Sequence, residues 1–105
     1  IKRLKGKTKF DEIFKDSAVF KSSHLTLRFI EKEKIKHLEV GVVVSKKLFK
    51  RSVDRNRIKR LIREGVCKNK QSITFSGYCV ILYKGFQVPV LSTLIKEINS
   101  LISKI

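Results

Sequence analysis

The sequence predicts a domain of the α/β (α+β) class, and three observations support this class. Period-two or β-branched apolar patterns, which are typical of strands, occur at residues 23–30, 38–45 and 78–83. Apolar stripes at helical spacing occur near residue 10, within residues 52–68 and from residue 91 onward. A chain of 105 residues, 42% of them hydrophobic, is large enough for one core. We therefore expect a single domain, residues 1–105, with the element order α-β-β-α-β-α.

The first helix is predicted from Thr8, which Asp11 follows at the spacing of a capping box. Phe10, Ile13 and Phe14 then stand at positions i, i+3 and i+4. This spacing predicts a short helix with one apolar side. Its two phenylalanines have two possible roles: they are core residues, or they border a groove in which cations follow an RNA backbone and unpaired bases stack.

Two strands are expected next. From Ser23 to Ile30 two sets of residues alternate, so the strand has unlike faces: one with Leu25, Leu27 and Phe29, the other with Thr26, Arg28 and Ile30. This β region is either continuous or divided by a bend near Val19 to Ser22. The charged run Glu31 to Lys36 then predicts a turn. Leu38 to Ser45 contains four valines around Gly41, which indicates a buried strand.

The second helix is expected to begin after Ser52, as its N-cap, and to end near Lys68. A polar link, Asn69 to Gly77, leads to a third strand, Tyr78 to Tyr83. The last helix has the most regular stripe, and we expect it to pack on the sheet. That stripe consists of Leu91, Leu94, Ile95, Ile98, Leu101, Ile102 and Ile105.

The second helix is unusually basic. Residues 45–64 contain nine Lys or Arg, and Asp54 is the one acidic residue between Lys46 and Arg63. On a helical wheel Ile58, Leu61, Ile62 and Val66 lie on one side, while the polar and basic residues spread over the other. Like charges at helical spacing cost stability unless a polyanion compensates them. Because most of these cations are Arg, whose planar fork suits phosphates and bases, the pattern predicts an RNA-binding helix.

The formal net charge of +16 also favours a nucleic-acid partner over a membrane, since no apolar run approaches the roughly 20 residues of a spanning helix. The basic N-terminal run, residues 1–5, lacks the apolar stretch of a secretory signal, so we expect a cytoplasmic location. Cys67 and Cys79 lack metal-ligand spacing, and we interpret them as reduced thiols.

No set of residues predicts catalysis by the protein itself. His24 and His37 are expected at the surface. Gly-rich nucleotide-binding motifs do not occur in the sequence. The nine acidic residues are dispersed and each lies near a cation, which indicates charge balance on solvated faces: Asp11, Glu12, Asp16, Glu31, Glu33, Glu39, Asp54, Glu64 and Glu97. We expect neither a catalytic residue nor a metal site on the chain.

The run from Arg55 to Glu64, RNRIKRLIRE, preceded by VSKK at Val44 to Lys47, closely resembles the signature of the protein subunit of bacterial ribonuclease P. The similarity extends to Arg3-Leu4, to the spacing of Phe10 and Phe14, and to the order of elements. It implies a two-layer α/β sandwich with a mixed sheet, in which the basic helix joins two parallel strands by a left-handed crossover. Sequence patterns alone favour the opposite hand.

The resemblance also implies a function. A catalytic RNA with bound Mg²⁺ removes the 5′ leader of precursor tRNA, and the protein assists it, most simply as one protein per RNA. Phe10, Phe14, Thr26 and Arg28 would lie in the cleft that receives the leader. The contacts to the catalytic RNA would come from Lys46, Lys47, Arg51, Arg55, Asn56, Arg57, Lys59, Arg60 and Arg63.

Two other functions compete with this one. A non-catalytic RNA-binding module, of ribosomal-protein or RNA-chaperone type, would share the charge, the size and the basic helix, but its binding would not depend on a leader. A stand-alone nuclease would need a metal-binding or acid/base cluster, which the sequence does not offer.

Overall fold

The computed structural model describes residues 2–4 and 6–105; Ile1 and Lys5 of the basic N-terminal run lie outside the described residues. Within these described residues, five strands and three helices follow one another, and a short 3₁₀ turn, Lys70–Ser72, follows α2. In chain order they are β1 (Lys2–Arg3), α1 (Lys7–Lys15), β2 (Ala18–Lys21), β3 (Leu25–Glu31), β4 (Leu38–Val44), α2 (Ser52–Lys68), β5 (Gly77–Tyr83) and α3 (Leu91–Ser103).

The strands form one mixed sheet in the order β1-β4-β5-β3-β2. β4 is parallel to both β1 and β5, whereas β3 is antiparallel to β5 and to β2. The basic helix α2 therefore joins two neighbouring parallel strands, β4 and β5. The expected mixed α/β architecture is confirmed, while the left hand of this crossover stays a prediction.

Alternation along the strands separates the two faces of the sheet. Leu25, Leu27 and Phe29 of β3 belong to the main core, together with alternate residues of β4 and β5. α2 and α3 cover this face, and each contributes fully buried side chains, such as Ile62 from α2 and Ile98 from α3. The amphipathic patterns of these two helices are thus explained by packing on one face of the sheet.

α1 packs on the opposite face. Ile13 is completely buried there in a second, smaller cluster with Leu4 and with Val80 of β5. A nine-residue helix covers only part of a five-stranded sheet. The rest of this face remains open, and it forms the groove described below.

Polar side chains hold α3 in place at two points. The buried Asn69 donates from Nδ2 to the carbonyls of Gly65 (3.0 Å) and Ile95 (3.1 Å) and accepts a bond from Asn99, so it ties the end of α2 to α3. Ser22 Oγ donates to Glu97 at 2.7 Å, which ties the turn between β2 and β3 to the same helix.

Two boundary predictions were wrong. α1 begins at Lys7, so Thr8 lies inside its first turn, and Gly6 takes the N-cap position with a φ of 102°, a conformation that favours glycine. α2 begins at Ser52, so Arg51 rather than Ser52 is its N-cap. The chain is turned by backbone conformation at both places, and not by the predicted capping side chains.

The first β region is divided, as one of the two alternatives predicted, but the turn lies at residues 22–24. The bend predicted near Val19 to Ser22 was placed too early, because Val19 and Lys21 belong to β2. The two-residue strand β1 was not predicted. A pair of residues carries no periodicity, so only its pairing with Glu39 and Val40 of β4 defines it as a strand.

Candidate nucleic-acid interface

The basic face of α2 points away from the core. Burial of Ile58, Ile62 and Val66 directs the opposite side of the helix outward. Asn56, Arg57 and Arg60 are exposed, whereas Lys59 and Arg63 are half-buried. The helical wheel is therefore confirmed, and the exposed cations of α2 are concentrated on one side.

The turn between β4 and α2 is held by specific contacts. Ser45 Oγ accepts bonds from the backbone amides of Lys47 (3.2 Å) and Leu48 (3.4 Å), and Phe49 is buried. Arg55 Nη1 donates to the carbonyls of Phe49 (2.8 Å) and Lys50 (3.0 Å). Arg55 thus has a structural task in addition to its predicted role in RNA binding.

The remaining predicted RNA contacts in this turn, Lys46, Lys47 and Arg51, are exposed. Their side chains extend from a turn that its own contacts hold in shape, beside the exposed face of α2. The structure therefore brings these residues close to the start of the basic helix, as the sequence predicted. Their contact with RNA stays a prediction.

Arg63 marks a second concentration of positive charge. Burial and the neighbouring charge of Arg3 lower the pKa of Arg63 below its usual value. Its buried Nε atom has no hydrogen-bond partner among the described residues. Two like charges that approach each other at a protein edge are stabilised when an anion such as a phosphate lies between them.

The second predicted site is the open part of the sheet beside α1. Phe10 packs over Gly41 so closely that a Cβ atom on Gly41 would lie 2.7 Å from its ring. Phe14, one turn further along, is 44% exposed. The two phenylalanines have different environments: Phe10 is largely a packing residue, and Phe14 presents its ring to solvent.

Arg28 connects Phe14 to the sheet. Its guanidinium carbon lies 5.4 Å from the centroid of the Phe14 ring, within the range of a cation–π contact. Thr26 lies two residues earlier on the same face of β3. The buried Thr26 Oγ1 and Arg28 Nε atoms both lack hydrogen-bond partners among the described residues. Phe14 and Arg28 are therefore brought together beside Thr26, and Phe10 lies one helical turn earlier on the same side of α1, over Gly41.

An open groove of about 740 Å³ runs beside this cluster, and we call it the α1 groove; it is lined by Val19, Lys21, Thr26, Arg28, Leu82 and Lys84. Sequence reasoning missed Lys21 and Lys84. Lys21 stands opposite Thr26 in the β2–β3 pairing, and Thr26 stands opposite Leu82 in the β3–β5 pairing. Only the strand order reveals that Lys21 and Lys84 line the same groove. The alternation of side chains along β2 was a weak indication of the face on which Lys21 lies.

Ion pairs fix the other side of α1. Lys9 Nζ donates to Glu39 Oε1 at 2.9 Å, and Lys32 pairs with Glu12. Both lysines also lie near the ring of Tyr78, with Nζ atoms 5.1 and 5.7 Å from its centroid. These contacts hold α1 over the sheet, while Phe14 of the same helix contacts Arg28, which lines the α1 groove.

The interpretation of the acidic residues as solvated charge balance was wrong for two of them. Glu39 is buried, and only 13% of the Glu97 side chain is exposed. Each is held by neighbours: Glu39 by Lys9 and His37, and Glu97 by Ser22 and His24. His24 is exposed as expected, whereas His37 is half-buried.

The Glu39 pair predicts a pH dependence. The hydrogen bond from Lys9 lowers the pKa of Glu39 below its ordinary value of 4.5. A lowered carboxyl pKa stabilises the fold above the unfolded-state value, and this contribution is lost as the pH falls through the folded-state value. We expect a Glu39→Gln variant to be less stable than the parent at pH 7, and the difference to shrink below about pH 4.5. Urea denaturation across this range measures it, and a constant difference would contradict it.

The described residues also include two cysteines. Burial raises the pKa of the Cys79 thiol to about 12, and Cys67 is exposed; both cysteines are free, as predicted. Within residues 2–4 and 6–105, no group of three or more His, Cys, Asp or Glu side chains is placed to hold a metal ion. None of the helices in this part of the chain is long and apolar enough to cross a membrane.

Comparison with known proteins connects this geometry to a family. The family model described as Ribonuclease P matches residues 1–105. The ribonuclease P protein component of Coprothermobacter proteolyticus is 38% identical over 80 residues, which are 76% of this chain and 63% of that protein. The Bacillus velezensis protein of the same description is 34% identical over 82 residues, 78% of this chain and 70% of that protein.

Solved structures show the same fold. The RNase P protein from Thermotoga maritima superposes with a TM-score of 0.87 at 23% identity and covers 100% of this chain and 98% of that one. The Staphylococcus aureus RNase P protein gives a TM-score of 0.85 at 23% identity, with coverage of 99% and 94%. Together with the match of the family model over every residue, these similarities lead to one conclusion: the chain belongs to the Ribonuclease P protein family.

Proposed function

We propose that this chain is the protein subunit of a ribonuclease P, which binds the catalytic RNA and the 5′ leader of precursor tRNA and so assists removal of the leader. Family membership supports a role in this endoribonuclease complex. The observation that carries the leader-binding part is the α1 groove. Three cations, Lys21, Arg28 and Lys84, line this groove. The exposed ring of Phe14 lies at its border, 5.4 Å from the guanidinium carbon of Arg28.

Such a groove suits single-stranded RNA. Every base has a π-face that can stack on Phe14, and Arg28 and the two lysines can follow the phosphates. Duplex RNA would instead present its bases already stacked and paired. The leader is single-stranded and is absent from mature tRNA, so binding in the α1 groove favours precursor over product.

The exposed side of α2 has a different task in this proposal. Arg57, Arg60 and the lysines of the preceding turn neutralise phosphates of the catalytic RNA. Neutralisation lets two polyanions, the catalytic RNA and the precursor tRNA, approach each other at moderate Mg²⁺ concentrations. The protein therefore acts by charge and by positioning.

We assign the cleavage chemistry to the RNA subunit. The donor set of the described chain does not fit a protein-bound magnesium site, because its acidic residues are dispersed or paired with Lys and His. In our proposal Mg²⁺ is bound mainly by the RNA, one protein binds one RNA, and the complex works in the cytoplasm. The chain acts as a single RNA-binding domain.

The test is cleavage of a precursor tRNA by ribonuclease P RNA at low Mg²⁺, with and without this chain, beside a protein-only reaction. Stimulation that requires both subunits supports the proposal. Cleavage by the protein alone would instead show a nuclease. RNA binding without stimulation of any tested ribonuclease P RNA would show a general RNA-binding module.

Phe14 should contribute to substrate discrimination. We expect Phe14→Ala to weaken binding of precursor tRNA to the holoenzyme about tenfold, because one base loses its stacking partner. Binding of mature tRNA, which has no leader, should stay within about twofold of the parent protein. Equilibrium binding of both tRNAs under conditions without turnover measures the ratio.

A matched control is Ile105→Ala, which removes another partly exposed apolar side chain at the end of the chain. It should leave both affinities unchanged. Equal weakening of precursor and mature tRNA by Phe14→Ala would show that this ring only supports the packing of α1.

A further inference from the structure

The loop between β5 and α3, residues 84–90, carries an unusually exposed aromatic ring. Phe86 is 80% exposed and Val90, in the same loop, is 65% exposed. Burial of a phenylalanine ring stabilises a folded protein, and Phe86 gains little of this stabilisation within the chain. An exposed ring in a well-anchored loop indicates a partner.

The loop is held by hydrogen bonds at its base. The Tyr83 hydroxyl donates to the carbonyl of Gln87 at 2.6 Å, and the amide of Lys84 donates to the carbonyl of His24 at 2.8 Å. The amide of His24 in turn donates to Glu97 of α3 at 2.9 Å. Phe86 therefore lies between two fixed points, Lys84 and Gln87.

A second groove lies beside Phe86, between this loop, the β2–β3 turn and α3; we call it the loop groove. Its volume is about 570 Å³, and its lining includes Phe86, Val88 and Val90. Lys84 lines both the loop groove and the α1 groove. The two grooves thus meet at a cation.

We propose that Phe86 is a stacking platform for a further nucleobase of the single-stranded leader, beyond the nucleotides that occupy the α1 groove. This proposal rests on the function proposed above and extends it by one subsite. The RNA strand passes Lys84, which neutralises a phosphate at the junction, and the next base stacks on Phe86. Alternation of aromatic rings and cations is typical of sites that bind single strands without sequence preference.

The charges around the loop groove favour RNA over an acidic protein or a second copy of this chain. A chain with a net charge of +16 repels its own copies. Lys84 lies where the two grooves meet, and Lys21 lines the adjoining α1 groove. The carboxylate in the lining, Glu97, already accepts bonds from Ser22 and from His24. The negative charge of Glu97 is therefore directed toward Ser22 and His24, and away from the RNA.

The decisive experiment uses the reconstituted holoenzyme and precursor tRNAs whose leaders are lengthened one nucleotide at a time. The parent protein should gain affinity with leader length in successive steps. Phe86→Ala should match the parent for short leaders and lose about tenfold in affinity once the leader reaches the added subsite. Phe86→Leu keeps an apolar side chain but has no ring, so it should lose most of the affinity that the parent protein gains at this leader length.

A direct readout is available because the chain has no tryptophan. Phe86→Trp introduces a single tryptophan into the loop groove, and its emission should be quenched by stacking only with the longer leaders. Gln71→Trp is the matched control, since Gln71 is exposed in the 3₁₀ turn that follows α2 and lines neither groove. Its emission should not depend on leader length.

The outcomes separate the two proposals. If the parent protein shows no dependence on leader length, the proposed leader-binding function fails, and the Phe86 subsite fails with it. If the affinity of the parent protein depends on leader length, but the Phe86→Ala variant has the same affinity as the parent at every leader length, only the Phe86 subsite is overturned. If Phe86→Ala changes the mass of the protein assembly in solution without changing RNA affinity, Phe86 contacts another protein, and this result would also overturn the subsite.

Discussion

Replacing Arg57 and Arg60 together with alanine should weaken binding of the ribonuclease P RNA about 50-fold, because two charge-assisted contacts to phosphates are lost. The Mg²⁺ concentration needed for half-maximal cleavage should rise, since ions must replace the missing positive charge. The salt dependence should also change: the slope of log affinity against log salt should fall in magnitude by about 1.5. Both arginines are exposed, so the fold should not be affected.

The matched control removes two exposed lysines, Lys96 of α3 and Lys104, which directly follows α3, in the variant Lys96→Ala with Lys104→Ala. It changes the net charge by the same amount, from +16 to +14, but leaves the basic face of α2 intact. We expect it to shift RNA affinity and Mg²⁺ demand only slightly. If both double variants have the same effect, net charge and not the α2 surface accounts for binding.

Replacing Ile62 with alanine should destabilise the protein by about 3–4 kcal/mol. Ile62 is fully buried between α2 and the sheet, and alanine would leave a cavity there. A loss of this size is a large part of the stability of a small domain. Thermal or urea unfolding of the isolated protein measures the change, and we expect one cooperative transition at lower denaturant concentration.

Val53, near the start of the same helix, supplies the control. It is 64% exposed, and Val53→Ala should change the free energy of unfolding by less than about 0.5 kcal/mol. Equal destabilisation by the two substitutions would contradict the assignment of a buried and an exposed side to α2. Together with the arginine variants, this pair separates the part of the helix that stabilises the fold from the part that we propose binds RNA.

The extent of prediction differed between the two candidate sites. The α2 surface was predicted from sequence residue by residue, because its apolar and basic positions repeat with the period of one helix. The α1 groove was predicted only in part. Phe14 and Arg28 were expected in one cleft through the family resemblance, whereas Lys21 and Lys84 were not expected at all.

The sequence by itself determined the elements whose signal lies within a few neighbouring residues: the two faces of β3, the buried strand β4, and the amphipathic helices α2 and α3. Tertiary structure alone decided which strands are neighbours, on which face α1 packs, and that Glu39 is buried beside Lys9. The physical reason is that side-chain periodicity follows from local backbone geometry. Strand order and the presence of Lys21 and Lys84 in one groove depend instead on contacts between segments far apart in the chain, which no local pattern encodes.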